Sequence, residues 1–313
     1  MANAEGDSQQ QAPSVRSARG SSKQAVLGAN PTVRQRELGI RLRELRNSVA
    51  LTVEEAGTRM GCSAAKISRM ETGARRASLR DVRELCAIYG ITDAERVEEL
   101  VALAGQAREP GWWSQYDEPL LSPYLGLEQE AAAITAYSMY VVPALLQTAE
   151  YARATIKSVE RRIDPAVLDQ RVEARLRRQE LFARRTPPRY RALLDEAILR
   201  RPVGGAQVMG AQLGKILELA AAEKAAIQVI PFDVGVYASA DSNFVLLEFG
   251  SGSPQPPVVF VEGLFSNRYQ ERRAEIERYR EAIEYLRDAA LSPRDSLSLI
   301  GEIKSMQQSH KSE

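Results

Sequence analysis

The stretch from Thr52 to Ser78 sets three cap residues, Thr52, Ser63 and Ser78, so close together that only short helices fit between them. Met60–Gly61 between the first two gives the tight glycine turn of a helical hairpin. Thr52 has Glu55 three residues on, Ser78 has Asp81, and Thr92 has Glu95. At that spacing an acid reaches back to the cap's own N–H and complements the positive end of the helix. Ser63 has Lys66 instead. A cation there adds charge to an end that is already positive, at a cost of roughly a few tenths of a kcal/mol. An outside anion, with nucleic-acid phosphate the first candidate, would remove the conflict.

The faces of the helix begun at Ser63 support that expectation. At 100° per residue, Ile67 and Met70 point inward, and Ala64, Ala65, Ser68, Arg69 and Thr72 point outward with Lys66 on the flank. Small residues let a helix enter the major groove, alanine methyls can meet thymine methyls, and arginine can pair with guanine through two hydrogen bonds. From 61 to 80 the cations are Lys66, Arg69, Arg75, Arg76 and Arg80, and the only acid is Glu71. Over the whole chain the formal net charge is only +1, so the basic character is local.

Before this hairpin, Leu38, Leu42, Leu45 and Val49 mark one face of a first helix. "SLRDVRELCAIYG" and "TDAERVEELVALAGQA" read as two more, so an all-α domain of five helices is expected over 31–108. "LTVEEAGTRMGCSAAKISRMETGARRAS" resembles the phage-repressor type (Xre-family) helix-turn-helix, with Ser63, Ile67, Glu71 and Gly73 at that family's signature positions. The resemblance implies that Ala64, Ala65 and Arg69 face bases, and that Ser63, Lys66, Ser68, Arg75 and Arg76 face bases or phosphates at the margin. It also implies a structural ion pair between Glu71 and Arg46. Gly57 departs from a good helix sequence at about 1 kcal/mol relative to alanine, which predicts close packing there.

Near "REPGWW" the rhythm breaks, with Pro110 and Gly111 as a boundary and Trp112 and Trp113 packed at the junction. Beyond it, 109–307 reads as a larger α+β (mixed α/β) domain. "AAAITAYSMYVV", "YRALLDE", "AIQVIPF", "NFVLLEF" and "PPVVFVEG" are expected as strands, and 143–158, 164–185, 205–223, 268–290 and 292–307 as helices. Residues 1–30 read as a disordered tail and 308–313 as a second tail. "YLGLEQEA", "VPALLQTAEYARA", "DEAILRRPVGG", "IQVIPF", "YASADSNFVLLEF" and "VVFVEG" together resemble the C-terminal domain of actinobacterial WhiJ-like regulators. Those proteins resemble antitoxins and are often encoded beside a very small partner protein.

No enzyme, cofactor or metal site is expected. The one histidine is His310, in the expected tail, no serine or cysteine sits in a nucleophile motif, and "RPVGGAQVMG" lacks the Lys-Ser/Thr of a phosphate-binding loop. Glu128 with Glu130, and Asp195 with Glu196, could do acid–base work, but such acids more often anchor arginines, as Glu196 would with Arg200 or Arg201. The arginine-rich stretch 161–185 offers a second nucleic-acid contact or, more simply, a solvated helix face. Cys62 and Cys86 make no disulfide framework. The apolar run 131–149 carries polar residues and a proline, which argues against a membrane span. No signal peptide is visible, and a cytoplasmic, nucleoid-associated protein is expected. The expected function is sequence-specific reading of double-stranded DNA by helix 63–72, as a homodimer on two half-sites about 34 Å apart or a multiple of that. A small effector or partner protein would act through the C-terminal domain. The alternative is an antitoxin-like protein that mainly binds a small partner and autoregulates its operon.

Overall fold

The computed structural model describes residues 33–109, 111–116, 122–237, 242–251, 253–263 and 267–309. The expected tail at 1–30, the boundary residue Pro110 and His310 lie outside the described residues. The amino-terminal region is all helical: α1 (Val33–Ser48), α2 (Val53–Arg59), α3 (Ala64–Glu71), α4 (Leu79–Ile88) and α5 (Ala94–Gln106). Leu38, Leu42 and Leu45 of α1 meet Ala56, Ile67, Met70, Val82, Leu85 and Leu100 in one buried cluster, so each helix spends its apolar face on the same core. Thr52 and Ser78 form the expected reciprocal caps with Glu55 and Asp81. At α5 the cap is Asp93, whose carboxylate accepts from the N–H groups of Glu95 and Arg96, and not Thr92.

An α+β domain with a six-stranded mixed sheet follows. Its elements are α6 (Ser122–Glu130), β1 (Ala133–Ser138), α7 (Ala149–Val159), α8 (Pro165–Arg178), β2 (Arg189–Asp195), α9 (Glu196–Arg200), α10 (Ala206–Ala221), β3 (Ala226–Ile230), β4 (Phe244–Glu248), β5 (Val258–Val261), β6 (Arg268–Gln270), α11 (Arg273–Ala289) and α12 (Pro293–Ser309). The strand order is β3-β2-β1-β4-β5-β6. β1, β2 and β3 run parallel, and the other pairings are antiparallel. Parallel neighbours need long crossovers, which α7–α8 and α9–α10 supply. One sheet face, with Ile134, Ala192, Leu194 and Val229, packs on α6, α10 and α12. The other, with Tyr137, Leu193, Leu246 and Val259, packs on Ile276, Ile283 and Leu286 of α11.

The expected helix over 268–290 is corrected at its start. Residues 268–270 form β6 against β5, where Tyr269 lies opposite Phe260 with ring centroids 5.2 Å apart. The expected helix over 143–158 is also broken. Pro143 leads into a single 3-10 turn, Ala144–Leu146, and α7 starts afresh from the cap Thr148. "YLGLEQEA" forms most of α6, which the strand and helix patterns did not separate. The last helix runs to Ser309, two residues into the stretch expected as a tail.

Helix α1 belongs to both regions. Val33 is 5% exposed and sits in the core of the α+β domain. Arg36 pairs with Glu271, just past β6, and Arg34 lies 3.6 Å from Glu130 at the end of α6. Midway along α1, Gly39 meets the end of α3 backbone to backbone. A Cβ there would stand 2.5 Å from the Glu71 carbonyl oxygen and 2.7 Å from that of Met70. Gly39→Ala should therefore force the two helices apart and cost about 1–3 kcal/mol in urea unfolding. Gly301→Ala, in the interior of α12 where a Cβ meets nothing within 4 Å, should instead gain about 0.5–1 kcal/mol. Equal effects at the two sites would refute the close approach.

Candidate nucleic-acid interface

The hairpin α2–α3 closes around two glycines. Gly61 takes φ +64°, which L side chains rarely adopt. A Cβ on Gly57 would lie 2.9 Å from the Cys62 carbonyl oxygen and 3.1 Å from the Ala64 nitrogen. The residue that weakens α2 thus lets the turn fold back over it. Ser63 caps α3, accepting from the N–H of Lys66 at 3.3 Å. Ile67 and Met70 are 0% and 2% exposed, which fixes the rotation of the helix. Ala65, Ser68, Arg69 and Thr72 are exposed on the opposite face, Ala64 is half-buried, and Ser63, Arg75 and Arg76 are exposed at its two ends.

Arg46 and Glu71 hold this face in place. The Nε and Nη2 of Arg46 donate to the two carboxylate oxygens of Glu71 at 2.6 and 2.9 Å, and Nη1 donates to the Leu51 carbonyl at 2.7 Å. The hydrogen bond to Glu71 raises the arginine's pKa against the opposing effect of burial. Gln35 donates to the Gly73 carbonyl at 2.7 Å, tying down the chain just after α3. Gln35 and Gly39 are positioning residues that the sequence did not reveal. Their only signal is a polar and a small residue on the buried side of α1.

Lys66 is corrected. Its ammonium lies 2.7 Å from Asp81 Oδ1, while Asp81 Oδ2 accepts from the Ser78 N–H at 2.8 Å. One carboxylate both caps α4 and neutralises the cation at the start of α3. The pair offsets the conflict between Lys66 and the positive end of α3 from within the protein. Among the described residues, Arg69, Arg75 and Arg76 around the outward face make no ion pair. Burial pushes the Asp81 pKa up, but the hydrogen bonds from Lys66 and Ser78 outweigh it and leave the carboxyl below its ordinary value.

The other chemistry-bearing clusters are internally engaged. Glu128, fully buried, accepts from Arg178 at 2.7 and 2.8 Å and from the Tyr124 hydroxyl at 2.7 Å. Glu196 pairs with Arg200 at 2.6 Å and accepts from the Phe232 N–H. Asp195 accepts from Ala197 N–H and from the Tyr237 hydroxyl. In the arginine-rich stretch, Arg171 pairs with Glu160, Arg175 donates to Gln147 and Thr155, and Arg177 lies over the Trp112 ring at 4.9 Å. Among the described residues no group of three or more His, Cys, Asp or Glu could hold a metal ion. No described helix is long and apolar enough to cross a membrane.

Comparison with known families gives two matches. Residues 37–100 match a helix-turn-helix domain, and residues 121–302 match a domain of unknown function (DUF5753). No curated protein and no solved structure matches the chain.

Two outcomes follow from the pairs. Glu71→Ala leaves a buried guanidinium uncompensated and should cost about 3–5 kcal/mol in urea unfolding, whereas an exposed control, Glu99→Ala, should stay within about 0.5 kcal/mol. Lys66→Met should cost on the order of 1 kcal/mol near neutrality. Because the Asp81 pKa is depressed in the folded state, the pair's contribution is complete above the ordinary carboxyl value, about 3.9, and is lost as pH falls through the folded value. The gap between the wild type and Lys66→Met should therefore close in acid. A gap that persists unchanged to low pH would show that the pair does not carry it.

Proposed function

We propose that this chain, which belongs to the DUF5753 family and carries a helix-turn-helix domain ahead of that region, is a sequence-specific DNA-binding transcriptional regulator of the Xre, WhiJ-like type. The observation that supports the reading is the outward face of α3. It is small and uncharged at its start, carries Arg69 further along, and is fixed in rotation by Ile67, Met70 and the Arg46–Glu71 pair. A helix of this shape fits the major groove with its first turns against base edges. In this reading Ala64, Ala65 and Arg69 face bases. Ser63, Ser68, Arg75 and Arg76 lie against the backbone, which positions the helix without reading sequence. Lys66 supports the turn through Asp81. A homodimer on two half-sites supplies the specificity one short helix lacks, and the C-terminal domain receives the signal.

A second reading, an antitoxin-like protein that sequesters a small partner protein, draws on a different observation. Tyr140 and Val141 follow β1, Phe232 and Val236 follow β3, and all four are exposed at the carboxyl ends of parallel strands. Exposed apolar groups gathered at one end of a sheet suit a protein partner. Co-expression with any small reading frame adjoining the gene, followed by light scattering, tests it; a lone protein on the column discards this reading.

Anisotropy titrations of the full chain on its own upstream DNA and on a scrambled duplex, at several salt concentrations, test the first reading. Arg69→Ala should lose about 1–3 kcal/mol on the cognate duplex and relax the preference at one base pair. Arg76→Ala should weaken both duplexes alike and flatten the salt slope by about one unit. Equal losses on both duplexes for Arg69→Ala would refute base reading by α3.

A further inference from the structure

At the amino ends of the parallel strands, far along the chain from α3, lies a cationic pocket of about 530 Å³. Arg189 and Arg191 stand two residues apart on β2, so they project to the same sheet face. Arg191 is in register with Thr135 of β1 and Ala226 of β3. Lys224, in the turn before β3, completes the cationic lining, and Glu223 and Glu248 also border the space.

Arg191 differs from the other arginines of the domain. It is half-buried, yet it makes no hydrogen bond or ion pair among the described residues, and its Nε is buried without an acceptor. Arg171 and Arg287 also have a buried Nε with no partner, but each places another nitrogen on a carboxylate, Glu160 and Glu284 respectively. The acids near Arg191 are otherwise occupied. Glu248 is held by Arg280 at 2.7 Å, and Glu284 is held by Arg287. Glu223 is exposed at the rim. Burial lowers the Arg191 pKa, the nearby Arg287 and Arg189 lower it further, and Glu284 only partly opposes them. A guanidinium thus stands beside like charges, in front of an open pocket, with no hydrogen-bonded acid among the described residues. An arginine fork gains most from a planar oxyanion, which accepts two parallel hydrogen bonds. The volume lies in the range of small-molecule sites, roughly 300–1,000 Å³.

We propose that this pocket binds a small organic anion through a carboxylate or phosphate group, with Arg191 as the inner contact and Arg189 and Lys224 at the mouth. The site is separate from the DNA-reading surface, so its test needs no DNA. Isothermal titration of the full chain with inorganic phosphate and with citrate, at constant ionic strength against a chloride control, distinguishes the two oxyanion classes. Saturable binding of one of them, weakened about tenfold or more by Arg191→Gln and several-fold by the exposed double variant Arg189→Ala/Lys224→Ala, is the expected result. Should Arg191→Gln fail to fold, the double variant decides alone. No saturable binding of either probe, or binding that the folded variants leave unchanged, would overturn the proposal.

Discussion

The presentation of α3 depends on one planar group. The Arg46 guanidinium spends three nitrogens on two partners from different parts of the chain: Glu71 at the last turn of α3 and the Leu51 carbonyl ahead of α2. A buried pair of this kind adds little stability over an apolar replacement, because both charges lose water on burial. Its effect is on geometry. Two parallel hydrogen bonds fix the angle between α1 and α3, and Gly39 lets the backbones touch where a larger residue would hold them apart. Ile67 and Met70 then have one place to go, and the outward set of side chains follows.

What the sequence made legible was local. Caps, glycine turns and a 3.6-residue period lie within a few residues of one another, so the five amino-terminal helices and the two faces of α3 could be read directly. Gly57 was readable too, because a helix-weakening residue beside a turn signals a close approach. The internal partner of Lys66 was missed for the opposite reason. Its partner, Asp81, belongs to the next helix, and only the crossing of α3 and α4 brings the two together. Asp93 and Thr92 are neighbours that can both cap. The carboxylate of Asp93 reaches two N–H groups, and that choice depends on backbone direction, not composition. At β6 the charged run around Arg272 carries a helical period backwards into residues whose place is set by Tyr269 against Phe260, a contact made across the sheet. Gln35 and Gly39 escaped notice because their partners lie more than thirty positions on.

The acids that suggested chemistry in the carboxyl-terminal domain all hold partners within the fold. Glu128 joins α6 to α8 through Arg178, with Tyr124 completing its hydrogen bonds. Glu196 joins α9 to the chain following β3. An arginine-rich sequence can use its cations this way because the guanidinium satisfies several acceptors at once. That usage makes the unanswered Arg191 the more informative residue. Among the described residues, a half-buried arginine without a hydrogen-bond partner, facing open space, marks a place the fold alone does not explain.

Helix α1 has two memberships. Its first residue, Val33, is part of the α+β core, Arg36 is tied to the segment after β6, and its middle forms the floor beneath α3. One helix thus carries the contacts to both regions, the first turn to the α+β core and the middle to α3. Opening of the sheet edge and loosening of the helix-turn-helix hairpin are coupled to the extent that α1 carries contacts to both. Anything that changes the free energy of the β5–β6 edge changes, by linkage, the fraction of molecules in which α3 is correctly seated. A hinge between the two regions is not needed for one to sense the other.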